Sequence, residues 1–124
     1  MMRAIVVDDS RVMRRLLTSM LVDAGFDVAA EAGNGQEALT ALAQTGPVEL
    51  MLLDWNMPVM TGFELLLKLR ADAGMRSMRM MMVTTETEAD QILRALDAGA
   101  DEYLIKPFSK QAIREKLELM GFGE

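Results

Sequence analysis

Ala4-Ile5-Val6-Val7-Asp8-Asp9 is the stretch on which the fold turns: four apolar residues, three of them β-branched, run without interruption into two aspartates. A strand with one wet face alternates apolar and polar residues, so an unbroken apolar run predicts a strand buried on both faces, the signature of a parallel sheet. The pattern recurs at Leu50-Met51-Leu52-Leu53, which runs directly into Asp54. Open parallel sheets bind ligands beyond the C-terminal ends of their strands, so Asp8, Asp9 and Asp54 are expected to share one crevice. Crowded carboxylates raise one another's pKa unless a cation compensates them. Oxygen-only ligands of this kind suit a hard divalent ion, Mg²⁺.

Outward from these runs, strands and helices alternate. Val12, Met13, Leu16, Leu17, Met20 and Leu21 lie on one helical stripe closed by Gly25. A weaker second unit follows, with a strand over Asp27–Ala30, a turn at Gly33-Asn34-Gly35, a helix over Gln36–Gln44 with Ala38, Leu39 and Leu42 inward, and the breaker Gly46-Pro47. Glu49–Leu53 is the third strand, and Phe63, Leu66, Leu67 and Arg70 have helical spacing over 62–70. Arg79–Val83 is the fourth strand, followed by the polar Thr84-Thr85-Glu86 and a helix carrying Ile92, Leu93, Leu96 and Ala100, with Gly99 as its stop. Glu102–Ile105 is the fifth strand, and Ser109 caps a last helix to Met120 with Ile113 and Leu117 inward. Five such alternations predict an α/β fold, a doubly wound five-stranded parallel sheet with helices on both faces, forming one domain over residues 1–124. With the chain ending just past the last helix, any output is expected from the domain's own surface.

Composition narrows the chemistry. The 124 residues include no cysteine and no histidine, which removes thiol catalysis, cysteine zinc sites and the commonest general base. A net charge of −6 argues against direct nucleic-acid or anionic-membrane binding, because counterion release needs a basic face. No apolar run approaches the length of a membrane span, and Met1–Val7 is too short for a signal peptide, so a cytoplasmic location is expected. Thirteen methionines are expected chiefly as core filler, since Met80–Met82 fall inside the fourth strand.

Each acidic cluster has an ordinary explanation when taken alone. Asp8-Asp9 would serve as a helix cap, Asp54 and Thr84 as loop residues, and Lys106 as solvated surface. Together they place carboxylates, a hydroxyl and one ammonium at the strand ends of one sheet, and the lysine suits a phosphate oxygen.

In this order and spacing, Asp8-Asp9, Asp54 within Asp54-Trp55-Asn56-Met57-Pro58 followed by Gly62, Thr84, and Lys106-Pro107-Phe108 resemble the receiver domain of two-component response regulators, across essentially the whole chain. The likeness is greatest to the single-domain chemotaxis, or CheY-like, type. That type is a standing example of strand order 2-1-3-4-5, so the order is taken over from the resemblance. The resemblance further implies that Asp54 is the phosphoacceptor, taking a phosphoryl group from a phosphohistidine on a sensor histidine kinase. It implies that Asp9, Asp54 and the Asn56 backbone carbonyl bind Mg²⁺, with Asp8 acting through water, and that Lys106 pairs with a phosphoryl oxygen from a cis Lys106-Pro107 junction. Thr84 and Tyr103 would be the switch pair, Asn56 and Glu86 would tune loss of the phosphoryl group to water, and Thr85 stands where the family often has a smaller residue. The output face would comprise the fourth helix, fifth strand and fifth helix, including Ile92, Tyr103 and Lys116, and would meet a downstream protein target.

Other readings stay open at this stage. A Mg²⁺-dependent phosphatase with an aspartyl-phosphate intermediate wants a second Asp two residues after the nucleophile, where this chain has Asn56. A flavodoxin-like nucleotide or flavin carrier wants a phosphate-cradling loop, and no Gly-x-x-x-x-Gly-Lys-Ser/Thr run exists. A phosphate sink for a shared kinase would use the same residues as an output regulator.

Overall fold

A computed structural model describes residues 1–85 and 89–122. Its elements run β1 (Arg3–Val7), α1 (Arg11–Asp23), β2 (Asp27–Ala32), α2 (Gly35–Thr45), β3 (Leu50–Leu53), α3 (Gly62–Ala71), a short 3-10 turn (Ala73–Met75), β4 (Arg79–Thr84), α4 (Ala89–Asp97), β5 (Glu102–Ile105) and α5 (Lys110–Leu119). The strands form one parallel sheet in the order β2-β1-β3-β4-β5.

Alternation along the central strands splits the core in two. Ile5 and Val7 of β1 join Met51, Leu53, Met80 and Met82 on one face, packed against Ala38 and Leu42 of α2, Leu65, Leu66 and Leu69 of α3, and Ala95 of α4. Ala4 and Val6 join Leu50, Leu52, Met81 and Val83 on the other, under Leu17 and Leu21 of α1 and Ile113 and Leu117 of α5. Both faces of β1, β3 and β4 are therefore dry, which is why their sequences do not alternate. Each large side chain so buried contributes about 1.5–3 kcal/mol. Met80, Met81 and Met82 are core filler, as the sequence suggested.

Four helices begin on the polar residues the sequence provides. Ser10, Asn34, Thr61 and Ser109 each accept a hydrogen bond from the backbone three residues on, and Thr61 with Glu64 completes a capping box. Asn34, expected as part of a turn, is thus the cap of α2. Gly25 and Gly99 end α1 and α4 at φ 96° and 116°, where a side chain would be strained.

Several apolar residues of the helical stripes face solvent instead. Val12 and Leu16 of α1 are exposed, as are Leu67 and Leu93. A stripe of six residues is wider than the strip one helix buries, so Leu17 and Leu21 define the buried line and Val12 falls well around from it. β2 also runs to Ala32, two residues beyond its expected end, because pairing with β1 continues to Val7.

Candidate functional site

Strand register assembles the site. Val7 pairs with Leu53, so Asp8 and Asp54 leave the sheet side by side; the Asp54 N–H donates to Val7 O at 3.0 Å and the Asp8 N–H to Ala32 O at 3.0 Å. Leu53 pairs with Met82, which sets Thr84 one step above Asp54, and the Lys106 N–H donates to Thr84 O at 2.9 Å. Asp8, Asp9 and Asp54 each present a carboxylate oxygen within 4.8 Å of the others. Lys106 Nζ reaches Asp8 Oδ2 at 2.7 Å and Asp54 Oδ2 at 3.3 Å. Asp8 and Asp54 are only 1% and 7% exposed, Thr84 is buried and Asp9 is open to solvent. The Lys106–Pro107 peptide is cis, in accord with the resemblance.

The capping explanation for the paired aspartates does not hold, because Ser10 is the cap: its hydroxyl accepts from the Met13 N–H at 3.2 Å. Asp8 Oδ1 accepts from the Ser10 N–H at 2.9 Å, which fixes the acidic turn and leaves Oδ2 to Lys106. Sequence reasoning missed Arg14. Its guanidinium donates to the Asp8 carbonyl at 2.6 Å and pairs with Glu31 at 3.5 Å, tying the acidic turn to β2. No local pattern marks it, since the tie exists only once α1 lies against β2.

The loop after Asp54 is held as tightly. The Gly62 N–H donates to Trp55 O at 2.9 Å, and a Cβ at position 62 would collide with the Asp54 carbonyl, so only glycine lets α3 begin here. Val59, mostly exposed at the loop tip, sits at φ 70°, a strained backbone for a β-branched residue. Asn56 is exposed on the same loop. The Trp55 ring stacks on Phe63 at 4.9 Å.

Burial is the largest influence on Asp54 and raises its pKa above the usual carboxylate range. Lys106 opposes this, Asp8 adds to it, and hydrogen bonding to Lys106 and Thr84 lowers it by smaller amounts. Burial alone would lower the pKa of Lys106, but its contacts with Asp8 and Asp54 outweigh that and raise it. One ammonium thus compensates a pocket of three carboxylates. Asp54 Oδ1 is buried with no well-formed hydrogen bond among the described residues. A buried anionic oxygen without a partner, beside two further carboxylates, fits a hard cation such as Mg²⁺.

The expected output residues lie on α4 (Ile92), β5 (Tyr103) and α5 (Lys116). Lys116 donates to Glu102 Oε1 at 2.9 Å and rests over the Tyr103 ring at 4.4 Å; Tyr103 and Ile92 are half-buried. Glu86 lies outside the described residues.

Comparison with known proteins agrees with this geometry. The family model described as the response regulator receiver domain matches residues 4–118. The chain is 43% identical over 117 residues to chemotaxis protein CheY of Pseudomonas aeruginosa, covering 94% of each. It is 42% identical over 123 residues to the Campylobacter jejuni CheY homolog, covering 98% of this chain and 95% of that one. Among solved structures, Vibrio cholerae CheY4 superposes with a TM-score of 0.86 at 33% identity, covering 95% of this chain and 97% of the other.

Proposed function

The chain belongs to the response regulator receiver domain family, and from that premise we propose that Asp54 is its phosphoacceptor and that Asp9, Asp54 and the Asn56 carbonyl hold Mg²⁺, with Asp8 acting through water. It is a receiver domain homologous to the CheY chemotaxis regulators, consistent with a phosphorylation-dependent signalling switch. Such domains are signalling proteins rather than classical enzymes. The observation that carries the assignment to Asp54 is its position: a nearly buried carboxylate between a lysine and two further aspartates, with Oδ1 taking no well-formed hydrogen bond among the described residues.

In the proposed reaction an Asp54 oxygen attacks the phosphorus of a phosphohistidine on a sensor histidine kinase. The P–O bond of an acyl phosphate forms, the P–N bond breaks, and the imidazole leaves. Bound Mg²⁺ supplies charge neutralisation for the carboxylates and the phosphoryl oxygens. Lys106, already 3.3 Å from Asp54, pairs with a phosphoryl oxygen, and the Thr84 hydroxyl donates to another. Both charge-assisted bonds exist only after transfer. To carry a two-state equilibrium from 1:99 to 99:1 they must favour the active state by about 5.5 kcal/mol. The readout is Tyr103, held against Lys116, and the proposed target surface comprises α4, β5 and α5 with Ile92, Tyr103 and Lys116. Asn56 and Glu86 set how quickly the domain returns its phosphoryl group to water. A cytoplasmic location follows from the proposed kinase donor; among the described residues no helix is long and apolar enough to cross a membrane.

Incubation with a small-molecule phosphodonor and Mg²⁺, read by intact mass, tests this. One phosphoryl adduct per chain, absent in Asp54→Asn and without Mg²⁺, is the expected result. An adduct that persists in Asp54→Asn overturns the assignment, and continuous turnover of phosphate esters would indicate a phosphatase instead.

A further inference from the structure

Trp55 follows Asp54 directly, yet the contacts of its ring lead away from the pocket. Its indole lies 4.9 Å from the Phe63 ring at an interplanar angle of 15°, and the Arg94 guanidinium of α4 sits 4.7 Å from the same Phe63 centroid. Three elements therefore meet on one phenyl ring: the loop after β3, the first turn of α3, and α4. Arg94 is exposed, and among the described residues its guanidinium otherwise makes a 3.4 Å hydrogen bond to Gln91 in its own helix. Nothing else ties it across helices among the described residues, so the aromatic contact is what its charge does in the fold. Trp55 and Phe63 are both half-buried, a setting in which a stacked pair restricts the indole without sealing it in the core.

Resting on the proposed assignment of Asp54, we propose that the Arg94–Phe63–Trp55 stack is a positioning device, through which α4 holds the indole beside Asp54 and with it the loop that shapes the cation pocket. Farther along, the loop is anchored by Met57, buried in the core, and by Met60 packed against it. The Gly62 N–H bond to Trp55 O secures the backbone at one point, and the strained Val59 lies farther along. Trp55 lies between Asp54 and Asn56 in the chain, so packing that fixes its side chain restricts the backbone on which both are carried. Arg94 and Phe63 are thus positioning residues, neither of which touches the reacting atoms. Coupling through the stack is reciprocal: what α4 does to the pocket, an occupied pocket does to α4.

Charge and positioning predict opposite signs. Removing a positive charge from an acidic domain favours cation binding, whereas loosening the stack disfavours it. The test is a Mg²⁺ titration of full-length parent, Arg94→Met, Arg94→Lys and Phe63→Leu, followed by Trp55 emission and, separately, by phosphoryl uptake from a small phosphodonor read by mass. Arg94→Met is expected to bind Mg²⁺ about two- to five-fold more weakly, the range of a cation–π contact, with a change in Trp55 emission before any Mg²⁺ is added. Arg94→Lys should recover part of the loss, and Arg94→Met should add nothing in a Phe63→Leu background. Equal or tighter Mg²⁺ binding by Arg94→Met overturns the proposal, as does an undiminished effect in the Phe63→Leu background. If the parent itself takes neither Mg²⁺ nor phosphoryl, the assignment of Asp54 fails; if only the Arg94 variants match the parent, the stack alone fails. Arg94 is a surface residue and its variants are expected to fold, which circular dichroism checks.

Discussion

Replacing the proposed phosphoacceptor, Asp54, should make the metal-free protein more stable. Asp54 is 7% exposed and its Oδ1 takes no well-formed hydrogen bond among the described residues, and an unsatisfied buried acceptor costs about 1–3 kcal/mol. Asp54→Asn removes that charge. The loss on the other side is limited: the Lys106 contact with Asp54 is long at 3.3 Å, and Lys106 keeps Asp8 at 2.7 Å, so its ammonium stays paired. The expected net gain is about 1 kcal/mol, or roughly 3–6 °C in Tm for a domain of this size. The sign agrees with the pKa of Asp54, which folding raises above 3.8. A carboxylate raised in this way favours the fold below pH 3.8, and that contribution is lost as pH rises through the folded value, so at neutral pH the ionised group works against folding. Thermal melts of parent and Asp54→Asn in a chelator at pH 7 should show the variant higher, with the gap closing as pH falls through the range where the parent carboxyl protonates. Saturating Mg²⁺ should reverse the order, since 100 times the dissociation constant adds about 2.7 kcal/mol to a protein that binds it. A variant less stable than the parent in chelator, or a gap indifferent to pH, would refute the reasoning.

Three other expectations follow from the geometry. Gly62→Ala should cost more than an ordinary helix-start substitution and lower phosphoryl uptake, because its Cβ meets the Asp54 carbonyl; denaturant unfolding and intact mass report the two effects. Arg70→Met should destabilise by about 2–4 kcal/mol in urea, since the Arg70 guanidinium donates to the carbonyls of Met75, Arg76, Met78 and Gly99 and to Asp101, joining the end of α3 to the starts of β4 and β5. Val59→Asn should stabilise by about 1 kcal/mol in the same assay, since asparagine tolerates the left-handed backbone that strains valine at φ 70°.

The unbroken runs Ala4–Val7 and Leu50–Leu53 determined a sheet buried on both faces, and their acidic ends determined where its chemistry would lie. These features were legible because they are local: one strand's burial and one strand's terminus are written in consecutive residues. Helix starts at Ser109 and stops at Gly25 and Gly99 were readable for the same reason. The strand order was not in the pattern of any segment and came only with the family resemblance. Tertiary structure alone decided that Val7 and Leu53 end level, so that Asp8 and Asp54 share one lysine, and that Arg14 grips the Asp8 carbonyl from α1. It alone turned Val12 and Leu16 to solvent and brought Arg94 over Phe63. Each of these depends on residues distant in the chain becoming neighbours, and the energy of such contacts exists only after the sheet has set its register.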